Sequence, residues 1–254
     1  MTGVSTLSDT STWLPLDGLA PGFDANKAPV VDDLREREFV LRDDDGVVVF
    51  TFAGDGETFL VDDGLYYVQL PPSDRETTSL FLDLRDGRAL VVITTIGEAG
   101  TPRVTQRFRP ATIDGIEVRG EPMAPSTALI GRRVLWVYSR EHAYEHVYLS
   151  PHWYTWQCLA GPERGLADTD ENTVYQVRPG IHVFTWREKV IPCASVTIAD
   201  HRNARDLRSH GVLFGLDATG SHPTQFTFGA FGRLLSTTVH PPEFDPAASA
   251  PVES

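Results

Sequence analysis

Two stretches of sequence decide the expected fold: Gly64-Leu65-Tyr66-Tyr67-Val68-Gln69-Leu70 and Gly180-Ile181-His182-Val183-Phe184-Thr185-Trp186, which lie 116 residues apart, from position 64 to position 180. In each, a glycine is followed by β-branched and aromatic residues, as in a strand that leaves a turn. The same offset aligns Ser79-Leu80-Phe81-Leu82 with Ser195-Val196-Thr197-Ile198 without a gap. Coincidence is the alternative, since β segments always share some features, but a repeat of this length would be a whole barrel rather than a solenoid unit.

Strand-like runs separated by turn signals surround both stretches. Asp44-Asp45-Gly46, Gly54-Asp55-Gly56 and Asp62-Asp63-Gly64 predict turns between apolar runs in the first half. Further strands are predicted at Phe39–Leu41, Val47–Phe52, Ser79–Leu84, Ala89–Thr95, Val134–Tyr138, Ala143–Leu149, Thr155–Leu159, Ile181–Glu188, Ala194–Ala199, Gly211–Gly215 and Gln225–Phe231. Only Asp32–Glu38 and Ala204–Leu207 are predicted as short helices. Neither βαβ alternation nor a phosphate-binding loop is visible, which argues against nucleotide-binding folds.

These patterns predict an all-β protein of antiparallel meanders, either closed into barrels or stacked as a sandwich, and the repeat favours two tandem barrels. Residues 1–30 are expected to be an irregular lead-in, and residues 31–122 the N-terminal barrel. Residues 126–240 are expected to form the C-terminal barrel, after a Pro/Gly-rich boundary at 120–131. Residues 241–254 are Pro/Ala/Ser-rich and are predicted to be a disordered tail.

Composition limits the classes of partner. The chain has 254 residues and a formal net charge of −13, which argues against nucleic-acid binding because phosphates are bound by clustered Lys and Arg. The sequence contains no run of 18 apolar residues, so no membrane span is predicted. Met1–Thr12 is polar rather than signal-like, and two cysteines do not make a disulfide framework, so we expect a cytoplasmic protein. A monomer and a homodimer are both compatible with the sequence.

Aromatic residues are concentrated in the second half, where four of the five tryptophans fall within about fifty residues. Alternate residues of a strand share a face. The shared faces are Trp136 with Tyr138; Tyr144 with His146 and Tyr148; Tyr154 with Trp156 and Cys158; and Phe184 with Trp186 and Glu188. If these faces point inward, they form a lumen suited to a small aromatic or partly apolar ligand. The alternatives are a packed aromatic core or an outer interface.

The predicted substrate-binding residues are therefore the aromatic members of these faces: Trp136, Tyr144, Tyr148, Tyr154, Trp156, Phe184 and Trp186. Glu188 is the predicted proton-transfer residue, with Tyr138 and His146 as catalytic hydrogen-bond partners, because burial beside Trp186 would raise its pKa into a useful range. A strand-end salt bridge of Glu188 with Arg187 or Lys189 is the structural alternative. His142 and His146 would need a third ligand to hold zinc, and the sequence indicates none, so no metal is predicted.

Several motifs of the second half resemble the MoaF (molybdenum cofactor biosynthesis protein F) family, mainly its C-terminal domain. They are Leu129–Arg133, Tyr144–Leu149, Trp153–Leu159 and Trp186–Cys193. The resemblance covers about residues 125–235, and the first half is more weakly similar to the family's N-terminal domain. It implies two tandem lipocalin-like (calycin) antiparallel β-barrels, one in each half.

The second half is also distantly similar to phenolic acid decarboxylases, which are single calycin barrels with a Tyr-x-Tyr strand and a Trp-x-Glu strand. Here Trp136-Val137-Tyr138 replaces the first strand motif, and Trp186-Arg187-Glu188 matches the second. This likeness implies that Glu188 is the catalytic glutamate. That family's essential arginine has no counterpart, because Gly165-Leu166-Ala167 stands where its Gly-Arg-Trp would be. The acid–base residues would thus be kept without the group that holds a carboxylate.

The repeat restricts the expected chemistry to the second barrel, since the positions equivalent to Trp186 and Glu188 are Leu70 and Pro72. The predicted function is a cofactor-independent lyase or isomerase acting on a small aromatic or conjugated substrate. A non-catalytic small-molecule carrier of lipocalin type is the alternative, and a structural interaction partner with a packed core is the third.

Overall fold

The computed structural model describes residues 10–52 and 56–248, and nearly all of its regular structure is β. Sixteen strands and one short α-helix, α1 (Leu16–Leu19), occur in this part of the chain. The all-β prediction is confirmed. Of the three predicted turns, Asp44-Asp45-Gly46 and Asp62-Asp63-Gly64 connect consecutive strands, whereas Gly54 and Asp55 lie outside the described residues.

The first half forms one antiparallel sheet of seven strands. The strands are β1 (Glu38–Asp43), β2 (Gly46–Thr51), β3 (Glu57–Asp62), β4 (Leu65–Gln69), β5 (Glu76–Asp83), β6 (Arg88–Ile96) and β7 (Val104–Ile113). Their order is β2-β1-β7-β6-β5-β4-β3. In the described part of the chain β2 and β3 do not pair with each other, so this sheet has two edges rather than a closed ring of hydrogen bonds.

The second half closes into an eight-stranded antiparallel barrel. Its elements are β8 (Ala124–Pro125), β9 (Arg132–Val137), β10 (Ala143–Tyr148), β11 (Trp153–Ala160), β12 (Ala167–Arg178), β13 (Ile181–Arg187), β14 (Cys193–Asp200), β15 (Leu207–Leu216) and β16 (Pro223–Thr237). Each of β9 to β16 pairs with the next, and β16 returns to pair with β9. The short strand β8 adds to β12 outside this ring.

The strand orders explain why only the second unit closes. β4 and β13, which contain the repeated stretches, occupy equivalent places in the two sheets, and so do β5 and β14. The second unit has one strand more, β11, which bridges β10 and β12. In the first unit no described strand takes that place between β2 and β3, and the ring stays open there.

The open sheet packs against the outside of the barrel. Strict alternation along its strands sends Tyr67 and Phe81 to the barrel, where they join Val183 and Ile198 in one buried cluster. The opposite face belongs to a separate core. At the interface the guanidinium of Arg178 donates hydrogen bonds of 2.7 Å from both Nε and Nη2 to the carboxylate of Asp83. The two halves thus share apolar surface and a buried ion pair.

Both predicted helices are wrong. Within Asp32–Glu38, residues 33–36 form a turn in which Glu36 lies in the left-handed region, at φ 60°, and Glu38 is the first residue of β1. Within Ala204–Leu207, residues 204–205 form a turn, and Leu207 is the first residue of β15. The helix that does form, α1, lies in the predicted irregular lead-in, where Leu16 and Leu19 are buried against the barrel.

The chain ends differ in how much of them the structure describes. Residues 242–248 form two exposed 3-10 turns, and the rest of the predicted tail, 249–254, lies outside the described residues, as do residues 1–9 of the lead-in. Within the ranges 10–52 and 56–248, none of the helices has the length and apolar character that crossing a bilayer requires.

Candidate functional site

The interior of the barrel contains a small cavity of about 50 Å³. A segment that we call the N-terminal cap, residues 13–23, covers one mouth of the barrel and contributes Trp13, Leu19 and Phe23 to the cavity wall. Trp13 meets the edge of Trp156, with ring centroids 5.5 Å apart, and Phe23 lies 4.5 Å from the ring of Tyr138. This volume holds a few water molecules, so a larger ligand requires the cap to move.

All ten predicted site residues face the interior of the barrel. Seven of them line the main cavity: Tyr138, Tyr144, His146, Tyr154, Trp156, Trp186 and Glu188. The other three, Trp136, Tyr148 and Phe184, lie deeper and surround a second space of about 10 Å³, which His146 also touches. The alternating faces of β9, β10, β11 and β13 therefore converge, as their spacing predicts.

Glu188 directly follows β13 and is almost fully buried. Its Oε1 accepts a 2.7 Å hydrogen bond from the indole N–H of Trp186, and its carboxyl group also hydrogen-bonds to that of Asp170. Burial and then the negative charge of Asp170 raise the pKa of Glu188 well above its usual value. The salt-bridge alternative is not observed, because Arg187 pairs with Glu171 and Lys189 pairs with Asp168.

Asp170, on β12, is the partner that makes Glu188 half of a buried carboxyl pair. Its Oδ2 accepts a 2.9 Å hydrogen bond from the indole N–H of Trp156, and its Oδ1 accepts one of 3.2 Å from the backbone N–H of Lys189. Burial raises the pKa of Asp170 too, but Asp170 has two N–H donors and Glu188 has one. The proton shared by the pair therefore resides on Glu188, and Asp170 carries the charge.

A third carboxyl group, that of Glu163, lies on the connection between β11 and β12. It accepts a 3.0 Å hydrogen bond from the hydroxyl of Tyr144, and the backbone N–H of Leu14 in the N-terminal cap also donates to it. Burial raises the pKa of Glu163. The residue thus joins the cap to the cavity wall.

His146 and Tyr138 are neutral groups in this interior. Burial lowers the pKa of His146 to about 3, so its imidazole is uncharged at neutral pH, and its Nδ1 has no hydrogen-bond partner among the described residues. Burial raises the pKa of Tyr138, which keeps its hydroxyl protonated. Both groups can orient a ligand by hydrogen bonding, but neither supplies a charge.

Four residues that sequence reasoning missed complete the site: Trp13, Phe23, Glu163 and Asp170. The acidic run 168–171 hides β12, since Asp is disfavoured in strands, although Asp170 and Asn172 alternate inward as strand residues should. Nothing local to the cap indicates that it covers a barrel formed more than a hundred residues later. No three His, Cys, Asp or Glu side chains converge as metal ligands in the part of the chain that the structure describes, and Cys158 and Cys193 are free, buried thiols.

Comparison with known proteins gives family matches in both halves of the chain. Residues 123–238 match the MoaF C-terminal domain, and residues 11–58 and 54–98 match the MoaF N-terminal domain. Protein MoaF of Klebsiella aerogenes is 39% identical over 114 residues, which cover 44% of this chain and 42% of that protein. Among solved structures, a DUF3598-family protein from Nostoc punctiforme is similar over 74% of this chain and 78% of its own, with 11% identity and a TM-score of 0.37. The MoaF matches span both halves of the fold, and the chain belongs to the MoaF family.

Proposed function

We propose that the C-terminal barrel is an acid–base catalyst that uses Glu188 to move a proton on a small aromatic or conjugated substrate. The observation that supports this most directly is the buried Glu188–Asp170 pair at the wall of an aromatic cavity. A protonated carboxyl group with a raised pKa is a general acid at neutral pH, and that of Glu188 lines the cavity in which a substrate would bind.

The pair also favours return of the proton within one turnover. When Glu188 donates its proton, two negative charges lie next to each other in a buried site, which is costly. Glu188 therefore regains a proton readily, either from another position of the same substrate or from solvent. Isomerisation and lyase reactions, in which one bond loses a proton while another site gains one, have this requirement.

The surrounding side chains suit the body of an aromatic or conjugated substrate. Trp186, Trp156 and Tyr154 supply flat apolar surface, while Tyr138 and His146 supply uncharged hydrogen-bonding groups. None of the fifteen described lining residues is Lys or Arg. The site therefore keeps the acid–base group of a decarboxylase-like barrel without a clamp for a departing carboxylate, and proton transfer without decarboxylation is the chemistry we favour.

A carrier of lipocalin type is the second candidate, and the N-terminal cap is the observation that favours it. Leu16 and Leu19 are buried and Phe23 contacts Tyr138, so a ligand would be sealed from solvent once bound. A carrier would release its ligand unchanged. The free thiols of Cys158 and Cys193 suit the reducing cytoplasm, which stays our proposed location for either function.

The test is Glu188→Gln, since glutamine keeps the size of the side chain and an oxygen that can accept the Trp186 hydrogen bond. Turnover is screened by absorbance over a panel of conjugated ketones, enols and phenols, and binding is measured by tryptophan quenching. We expect Glu188→Gln to lower turnover by about 100-fold or more, without a change in ligand affinity or thermal stability. Asp170→Asn is expected to lower turnover less and to shift its pH profile.

Glu141→Gln is the matched control, because Glu141 is an exposed turn residue away from the cavity. Turnover that survives Glu188→Gln, or a variant that loses only stability, would show that Glu188 has a structural role. Ligands that quench tryptophan and are recovered unchanged from the wild-type chain would favour the carrier.

A further inference from the structure

The charge around the barrel cavity is unbalanced. Glu163 and Glu188 line it, and Asp170 lies behind Glu188, with all three side chains at least nine-tenths buried. No Lys or Arg is among the described lining residues. The nearest cations along the chain are directed elsewhere: Lys189 Nζ bonds to Asp168 at 2.7 Å, and Arg187 Nη1 bonds to Gln106 at 3.0 Å.

The donors that do reach these carboxyl groups are neutral. They are the Tyr144 hydroxyl, the two indole N–H groups of Trp156 and Trp186, and backbone N–H groups. Neutral donors stabilise an ionised carboxylate only in part when it is buried. A negative charge in such a site favours a cation that comes from outside the chain.

One further atom shows that the polar wall is incomplete without a ligand. Nδ1 of His146 is buried and has no hydrogen-bond partner among the described residues, and its side chain lines the cavity. Buried polar atoms are seldom left unpaired, and a bound donor such as an ammonium group would satisfy this nitrogen in the tautomer that carries its proton on Nε2.

The rest of the wall suits the body of an organic cation. The cavity wall includes the rings of Trp13, Phe23, Tyr144, Trp156 and Trp186, and Trp13 packs edge to face on Trp156 with an angle of 70° between the ring planes. Aromatic faces attract ammonium groups, most strongly where water is excluded. A carboxylate would instead meet three carboxyl groups and lose its hydration without a partner.

We propose that the barrel binds a small primary amine in its ammonium form, with the ammonium group on Glu188 in front of the charge of Asp170, and an aromatic or conjugated body between the rings of the N-terminal cap and the barrel. This inference rests on the proposed function only in that both use the same cavity. It names the charge of the ligand, which the acid–base proposal leaves open.

Binding of such a cation is coupled to proton release. An ammonium group favours the ionised form of Glu188, so the proton held by the Glu188–Asp170 pair is lost when the amine binds. The titratable groups that face Glu188 are Asp170, Glu163, Tyr154, Cys193 and His146, and none of them is cationic at neutral pH. Affinity should therefore rise with pH until the amine itself loses its charge.

The test compares benzylammonium, benzyl alcohol and benzoate, three probes with the same ring and different charge, by tryptophan quenching and calorimetry on the full chain. We expect benzylammonium to bind on the order of tenfold more tightly than benzyl alcohol, and benzoate to bind weakest. Calorimetry in two buffers of different ionisation enthalpy should show proton release for benzylammonium alone. Glu188→Gln should weaken benzylammonium on the order of tenfold and leave benzyl alcohol unchanged, and Glu141→Gln should change neither.

Benzyl alcohol or benzoate binding as tightly as benzylammonium would overturn the proposal, as would benzylammonium binding that Glu188→Gln does not weaken. So would the failure of all three probes to bind either the wild-type chain or Phe23→Ala, in which the cap is loosened. The acid–base proposal is judged separately, by turnover of uncharged substrates, and survives a preference for the neutral probe.

Discussion

Acidification is expected to unfold this protein, because four buried histidines stay neutral in the folded state and become protonated more readily in the unfolded chain. Burial lowers the pKa of His146 and His201 from 6.5 to about 3, and of His182 and His210 to about 4. Each of them has at least one ring nitrogen without a hydrogen-bond partner among the described residues. Neutral imidazole is therefore strongly preferred in the folded protein.

The sign follows from where the protons bind. Between pH 6.5 and the lowered values, the unfolded chain binds more protons than the folded one, so stability is full above about pH 6.5 and falls as the pH drops. A pH of about 4.5 lies about two units below the pKa of a histidine in the unfolded chain. The free energy of unfolding therefore falls by about 2.7 kcal/mol for each buried histidine. Four such groups lose about 11 kcal/mol, which is comparable to the whole stability of a typical domain.

The buried carboxyl groups act in the opposite direction. Glu163, Asp170 and Glu188 have raised pKa values, so their contribution is present at low pH and is lost as the pH rises through those values. They offset part of the histidine effect between about pH 4.5 and 7. A single histidine is therefore best isolated by comparison with a variant that lacks it.

The assay is urea unfolding followed by tryptophan fluorescence at about pH 7 and about pH 4.5, for the wild-type chain and His146→Gln. The loss of unfolding free energy between the two pH values should be smaller in the variant by about 2.7 kcal/mol. His152→Gln is the control, because His152 lies in the β10–β11 turn and is only half-buried. An equal pH dependence in the wild-type chain and His146→Gln would refute the assignment of a buried, neutral His146.

Two further predictions concern the N-terminal cap and the interface between the halves. Phe23→Ala removes the ring that covers Tyr138, and it should destabilise the cap by about 3 kcal/mol. It should also speed the association of benzylammonium, measured by stopped-flow tryptophan quenching. Phe244→Ala, at an exposed position, should have neither effect. Unchanged association kinetics would mean that ligands enter elsewhere. Arg178→Met leaves Asp83 buried without its cation and should cost about 3–5 kcal/mol in urea unfolding, whereas the exposed Arg42→Met should change little. A small effect of Arg178→Met would show that the buried pair is not important for stability.

Strand existence was predictable from the sequence where a run of mainly apolar, β-branched and aromatic residues is bounded by turn residues, as in β4, β13 and β14. Three strands were missed: the two-residue β8, and the longer β7 and β12, which were missed for different reasons. β7 (Val104–Ile113) carries Pro110 and two arginines, which are residues that central strands avoid. β12 (Ala167–Arg178) is hidden by its acidic first half, because the side chains that serve the site are those that break the strand pattern.

The candidate site shows the same division between local and non-local information. Alternation alone places Trp186 and Glu188 on one inward face, and the structure agrees. The partner of Glu188, Asp170, follows only from the pairing of β12 with β13, in which Asn172 faces Trp186. The position of the N-terminal cap could not be predicted either, since the contact between Leu14 and Glu163 joins distant parts of the chain. Contacts that depend on tertiary pairing leave no periodic trace in a single sequence.

The first unit has a structural part in the site although it contributes no lining residue from its strands. Gln106, on β7, accepts a 3.0 Å hydrogen bond from Arg187 and donates one of 2.9 Å to the backbone carbonyl of Ser195. Arg187 faces out of the barrel between Trp186 and Glu188, and Ser195 lies opposite Trp186 on the neighbouring strand. Gln106 therefore holds the outer side of the two strands whose inner side carries the proton-transfer group. An open sheet that packs on β13 and β14 can fix Glu188 in place without closing into a second barrel. The second unit therefore contains the cavity, and the first unit supports it from outside.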